Sequence, residues 1–469
     1  FMTEKRKRKL AMPDTLIIVA SVVLLVAILS WIIPSGTYDY QEMNINGRIR
    51  NVAIDGTYHT IDKSEVTTTG FLGFFSVLYR GCVEAADVIF MILCCCGTFG
   101  VVVKTGAFHA GIGTILKKLK GKEILLVPII MLIFGLGGSV FGMASEFYGF
   151  YPLIVGLGVA LGYDAMFGFA IIAVGEFVGF MGATLNPYSV GIAQTISGVE
   201  LYSGTGYRTI CFVIFMVISI IYVMMYGRKI KKNPGASVVF GEKNIHAFDR
   251  DELNEYSFTL KDGLVLLDVL VVLVVLMFGL IKWGWDFPQL CGLFLLMSMI
   301  AAAICKWSPN KWCSEFIDSA KTAMWGCILT GIAKAITVVM QDAQIMDTVI
   351  YGLSNVLKNA PHAVSAQVML VVQTLINFFI PSATGQASAT MPIMAQLADI
   401  IGVSRQTAVL AFQFGDGLSN IFWPTADIVI ICGLGGISLQ KWYKWFTPLF
   451  LILFATQAIL LGIATGIGF

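Results

Sequence analysis

Apolar and polar residues divide this chain into long runs and short connections. Runs at 12–34, 84–103, 210–226, 263–281, 287–305, 324–340 and 445–463 each approach the roughly 20 apolar residues that one helical crossing of a bilayer needs. The longest hydrophilic stretches are 36–69 and 227–262, and neither is large enough for a separate soluble domain. Gly-Arg and Asp-Gly pairs set among alternating residues in 36–69 predict a small β-hairpin.

Two apolar regions in the first half are interrupted. The region 123–162 carries Gly142-Met143-Ala144-Ser145-Glu146 in its middle, and 166–197 breaks at Gly182-Ala183-Thr184-Leu185-Asn186-Pro187. Read as two ordinary passes, the first region would place Glu146 in lipid. A re-entrant hairpin costs less, because irregular backbone at membrane depth survives only where protein or a cavity surrounds it. In the second region Pro187 removes a helical donor and unwinds the turn before it. A second hairpin over 362–402 and a second broken helix over 405–433 repeat the arrangement. The sequence thus predicts nine passes, two of them broken, plus two hairpins.

Basic clusters orient these elements. Lys5-Arg6-Lys7-Arg8-Lys9, Lys117-Lys118-Leu119-Lys120-Gly121-Lys122, Arg228-Lys229-Ile230-Lys231-Lys232 and the pair Lys441 and Lys444 all mark the cytoplasmic side. The N-terminus is then cytoplasmic, and the two hairpins enter from opposite faces. At an offset of 240, Pro152 falls on Pro392, Gly162 on Gly402, Gly175 on Gly415, Glu176 on Asp416 and Glu146 on Gln386, while Pro187 and Pro424 differ by 237. The expected fold is an all-α polytopic membrane protein of two inverted repeats, 1–227 and 263–469, joined by a cytoplasmic linker at 228–262. Inverted repeats with helices interrupted at matching places are the signature of a secondary transporter with a site near the midplane.

Composition agrees with that picture. The chain is 57% hydrophobic and 13% charged, with mean hydropathy +0.81, far from a soluble domain. A net charge of +2 gives no reason to expect nucleic acid. Ten cysteines include Cys94-Cys95-Cys96 inside an apolar run, which reads as reduced packing residues. With four histidines no metal cluster is visible, and there is no phosphate-binding loop, His-Glu-x-x-His or Gly-x-Ser-x-Gly motif. No cofactor is expected beyond a coupling Na+ or H+.

The candidate chemistry lies at the interruptions, where helix N-termini favour a substrate carboxylate and unwound carbonyls favour a cation. Gly142, Ser145 and Glu146 sit at the first tip; Ser382, Thr384, Gly385 and Gln386 at the second. Thr184, Asn186 and Pro187 line the first break; Ser419, Asn420 and Thr425 line the second. Any one Ser or Thr has a plain alternative, bonding back to a carbonyl four residues earlier. Glu146, Glu176, Asp416, Asp427 and Lys334 are ionisable at bilayer depth, where charge is costly and usually functional. A buried pair of Lys334 with Asp416 or Glu176 is the structural alternative, and it would still leave three carboxylates over. Asp164, Asp399 and Arg405 read as interfacial.

These motifs resemble those of the YfcC family, close to the ArcD-type basic amino acid antiporters and the DcuC-like carriers of the ion-transporter superfamily. The resemblance rests on Phe150-Tyr151-Pro152, Ala160-Leu161-Gly162-Tyr163-Asp164, Gly182-Ala183-Thr184-Leu185-Asn186-Pro187-Tyr188-Ser189, Ile380-Pro381-Ser382, Met391-Pro392-Ile393-Met394 and the stretch 402–420. It departs at the first tip, where Ser145 precedes a single Glu146 instead of two adjacent acids. The resemblance implies an elevator-type carrier in a bacterial cytoplasmic membrane, often a homodimer, with hairpins and broken helices moving against a scaffold. It points first to a basic amino acid such as arginine, ornithine or lysine, and second to C4-dicarboxylates, for which Lys334 would matter more. A channel or a membrane-embedded enzyme stands as the alternative of another class.

Overall fold

The computed structural model describes residues 15–45, 48–119, 123–242, 246, 257–358 and 364–469. The first basic cluster and His362 lie outside them. Among the described residues, seven helices are long and apolar enough to cross a membrane: α1 (Thr15–Ile32), α3 (Ala86–Lys104), α9 (Thr205–Lys232), α10 (Leu260–Lys282), α11 (Phe287–Ile304), α13 (Met324–Asp342) and α19 (Leu439–Ile467). They occupy the seven regular runs read from the sequence.

Both broken helices form with their interruptions in the expected places. The first is α7 (Ala165–Met181) followed by α8 (Val190–Ile196); the second is α17 (Arg405–Ser419) followed by α18 (Asp427–Gly435). The region 123–162 folds as α5 (Leu126–Leu136), a π turn at Gly137–Phe141 and α6 (Phe150–Ala160). The second hairpin region is α15 (Ser365–Phe379) and α16 (Ala383–Ile400), split by Ile380-Pro381-Ser382.

The fold is mainly helical but not purely so. Strands β1 (Ser35–Thr37) and β4 (His59–Ile61) pair antiparallel, as do β2 (Tyr40–Ile45) and β3 (Arg48–Ala53), the latter with two residues between them. Four further helices fall outside the predicted passes and hairpins: α2 (Phe71–Glu84), α4 (Ala107–Leu119), α12 (Pro309–Lys321) and α14 (Met346–Lys358). At 13 or 14 residues each is too short to cross a bilayer.

The two halves pack by the same plan and interlock. Helices α5, α6 and α9 all lie on α7, as α15, α16 and α19 all lie on α17. The segment after each break reaches into the other half: α8 rests on α16, and α18 on α6. The outer helices exchange as well, with α1 and α2 against α13, and α11 and α12 against α3. At the centre α7 crosses α17, so closely that a Cβ on Gly417 would lie 2.4 Å from the Met181 Cα. Along its whole length α7 is buried, which explains its uninterrupted apolar sequence and isolates Glu176.

Candidate functional site

Helix α5 unwinds through its π turn and stops at Gly142, whose φ of +68° suits glycine. Ser139, inside that turn, latches the tip to the first break. Its carbonyl accepts from the Thr184 and Leu185 amides at 2.9 and 3.2 Å, and its hydroxyl lies 3.1 Å from the Gly182 carbonyl and 3.2 Å from Thr184 Oγ1. Beyond Thr184, Asn186 Oδ1 accepts from the Tyr188 and Ser189 amides at 2.9 and 3.2 Å, closing a turn around Pro187. These two bonds fix which way the amide faces. Asn186 is fully buried, and its Nδ2 has no partner among the described residues. Gly142 lies against it: a Cβ there would sit 2.3 Å from Asn186 Oδ1.

The second half builds a matching knot with the opposite polarity. Asn377 of α15 directs Nδ2 at Asp416 Oδ1 (3.0 Å), Asn420 Oδ1 (3.1 Å) and Gln386 Oε1 (3.2 Å). Gln386 donates in turn to Gln373 Oε1 at 2.7 Å. All five side chains are buried, and Asn377 Oδ1 and Asp416 Oδ2 have no partner among the described residues. Thr425 Oγ1 donates to the Phe378 carbonyl at 2.7 Å, tying the second break to the second tip. Ser382 caps α16 by accepting from the Gly385 amide. Thr384 Oγ1 donates to the Tyr188 carbonyl at 2.9 Å, so the second tip meets the first break.

Of the expected residues, Gly142, Thr184, Asn186 and Pro187 come together with Ser382, Thr384 and Gly385 through Tyr188, and Gln386, Asn420 and Thr425 gather around Asn377 and Phe378. Ser419 instead bonds back to the Gly415 and Asp416 carbonyls, the plain reading for a helical serine. Ser145 opens a 3-10 turn, and neighbouring Glu146 folds its carboxylate onto the Ala144 amide at 2.9 Å. The carboxylates of Glu176 and Asp427 accept from tyrosines of the α6 region, Tyr151 at 2.8 Å and Tyr148 at 3.0 Å. No ion pair joins Lys334 to Asp416 or Glu176; Asn377 and Tyr151 occupy those acids, and Lys334 stays half-buried on α13. Asp399 and Arg405 pair at an exposed edge at 2.7 Å, and Asp164 caps α7.

Sequence reasoning missed Ser139, Gln373, Asn377, Tyr148 and Tyr151. Gln373 and Asn377 stand four apart, on one face of a mainly apolar helix. Tyr148 and Tyr151 stand three apart beside a proline. That spacing was the available signal in both cases.

The model of the family DcuC, C4-dicarboxylate anaerobic carrier, matches residues 12–466. The chain belongs to this family. It is a membrane-spanning carrier. YfcC of Escherichia coli (strain K12), which bears the provisional name of a basic amino acid antiporter, is 32% identical over 97% of this chain and 96% of its own length. An uncharacterized protein of Haemophilus influenzae is 27% identical, covering 97% of each chain. Two solved structures align over 97% of the chain, each with a TM-score of 0.44: the YdaH transporter of Alcanivorax borkumensis at 14% identity over 99% of its length, and MtrF of Neisseria gonorrhoeae at 15% over 96%.

Proposed function

We propose that this DcuC-family chain is a secondary carrier of basic amino acids such as arginine, ornithine or lysine, working by exchange or cation coupling. The observation that carries this reading is the polarity of the unpartnered groups. The first break offers a buried donor, Asn186 Nδ2, suited to a carboxylate; the second offers buried acceptors, Asn377 Oδ1 and Asp416 Oδ2, suited to an ammonium group. Unmatched buried polar atoms each cost about 1–3 kcal/mol, and a zwitterion would satisfy both ends. Glu146 and Asp427 supply negative charge for an additional cationic group. The name borne by the Escherichia coli relative agrees with this choice.

In this reading the two halves are inverted repeats, their hairpins re-enter from opposite faces, and the two interlocked motifs move as one body against a dimeric scaffold. The family description favours a second reading, a C4-dicarboxylate carrier, in which half-buried and unpaired Lys334 would serve the second carboxylate.

Counterflow in proteoliposomes separates the two. Vesicles are preloaded with arginine, ornithine, lysine, succinate or a neutral amino acid, and entry of the labelled species is followed. Trans-stimulation by basic amino acids alone is expected, with Asn186→Ala and Asn420→Ala each cutting the rate in folded protein. Stimulation by succinate alone would hand the site to the dicarboxylate reading, and normal transport by both variants would remove the two breaks from it.

A further inference from the structure

Glu176 presents a physical problem that substrate binding does not solve. It lies fully buried in α7 and, among the described residues, has a single hydrogen bond, from the Tyr151 hydroxyl to Oε2, while Oε1 has no partner. An ionised carboxylate so placed costs several kcal/mol unless a cation or several donors compensate it. The elements packed on α7 bring none. Helix α5 carries no titratable side chain. The α6 region brings Tyr148 and Tyr151, the first tip brings Glu146, α18 brings Asp427, and α17 brings Asp416. Helix α9 carries Tyr207, Arg208 and Cys211 near its start and Tyr222, Tyr226, Arg228, Lys229, Lys231 and Lys232 in its second half; the Arg208 guanidinium turns to Gln406 and the Phe469 ring, Tyr226 donates to Asp164, and Lys231 lies over the Tyr163 ring. Among the described residues, every charge facing Glu176 is therefore negative. A metal ion would need several convergent oxygens, and among the described residues no three acidic, His or Cys side chains form such a set.

We propose that Glu176 and Tyr151 form a proton-binding site, separate from the two breaks, that couples proton movement to transport. A proton from water on one side forms an O–H bond at the Glu176 carboxylate, which becomes neutral, and it returns to water on the other side after the carrier reorients. No electrons move. Tyr151 holds the carboxyl group and fixes its orientation. One turn earlier, Tyr148 holds Asp427 at the start of α18, so the α6 region touches an acid of each half at neighbouring positions. Neutralising Glu176 relieves its repulsion of Asp427, which adjoins the second break. That gives the proton a route to bias the substrate site without touching substrate.

The inference rests on the carrier reading, and two measurements keep their failures apart. In proteoliposomes, one coupled proton at a pH difference of about one unit sustains roughly tenfold accumulation of labelled substrate. The expected result is that wild type accumulates on a pH gradient, that Glu176→Asp retains this, and that Glu176→Gln falls to no accumulation with residual counterflow that no longer varies with pH. Tyr151→Phe should shift the pH at which wild-type transport is half-maximal. Accumulation by Glu176→Gln equal to wild type would overturn the proposal. So would a wild type driven by sodium and indifferent to pH. The second readout needs no transport: infrared difference spectra of purified protein across acidification should contain a buried carboxylic acid carbonyl band, moved in Glu176→Asp and lost in Glu176→Gln. Without that band in wild type the proton site does not exist, whatever the substrate proves to be.

Discussion

Replacing Gly142 with Ala tests how tightly the first tip and the first break are joined. Two penalties act at that position. The backbone has φ +68°, where a side chain costs about 1–2 kcal/mol. The new Cβ would also lie 2.3 Å from Asn186 Oδ1 and 2.7 Å from its Cγ, so the amide must move. Moving it breaks the bonds to the Tyr188 and Ser189 amides, worth about 0.5–1.5 kcal/mol each. The total is roughly 2–5 kcal/mol, concentrated where the Asn186 donor is aimed. Gly56 supplies the control, since its φ is +78° but a Cβ there meets nothing within 4 Å. Gly56→Ala should show the backbone penalty alone and transport at close to the wild-type rate. Gly142→Ala should lose more thermal stability in detergent and at least about tenfold in counterflow, the factor that 1.4 kcal/mol of displaced binding energy represents. Equal behaviour of the two variants in both assays would refute the claim that Gly142 is there to admit Asn186.

Three further outcomes follow from local geometry. A Cβ on Gly179 would strike the Gly135 carbonyl oxygen at 2.1 Å, whereas one on Gly135 would first meet the flexible end of Met216, so melting curves should place Gly179→Ala well below Gly135→Ala. Buried Asp347 accepts from the Tyr40 hydroxyl at 2.7 Å, the Tyr38 amide at 3.0 Å and Thr37 Oγ1 at 3.2 Å; Asp347→Ala should leave these donors unmatched, cost about 1–3 kcal/mol, and speed limited proteolysis within 35–61. Burial pushes His246 down from an ordinary 6.5 to about 4, beside a cavity of about 320 Å³ lined by Phe99, Pro152 and Ser319. Its contribution to stability is full above about pH 6.5 and is lost as pH falls towards 4, so acidification across that range should lower the melting temperature of wild type more than that of His246→Ala.

The long helices were legible because lipid demands a property that sequence displays directly, an uninterrupted apolar run. The two breaks were legible because Asn186, Pro187 and Pro424 cannot continue a helix cheaply. Asn377 escaped because its one local signal, the four-residue spacing from Gln373, does not say what it meets; its importance arises only when Asp416, Asn420 and Gln386 are folded against it. Lys334 misled for the converse reason, since opposite charges in one sequence suggest a pair that the packing does not make. Helices α2, α12 and α14 escaped because none is long enough to register as a crossing, and each is held by an element far away in sequence, α2 by α13 and α12 by α3.

That exchange of partners bears on how the protein is made. When the ribosome has released the first half, α3 still waits for α11 and α12, and α6 for α18, all encoded later. Until translation passes the last of them, the nascent chain exposes buried polar groups and bare helix faces to lipid, a condition that membrane insertases shield and quality-control proteases recognise. The two halves cannot be matured one after the other. Their synthesis runs in sequence, but their completion is a single late event, and an early stop codon anywhere before α18 leaves a degradation substrate instead of a smaller carrier.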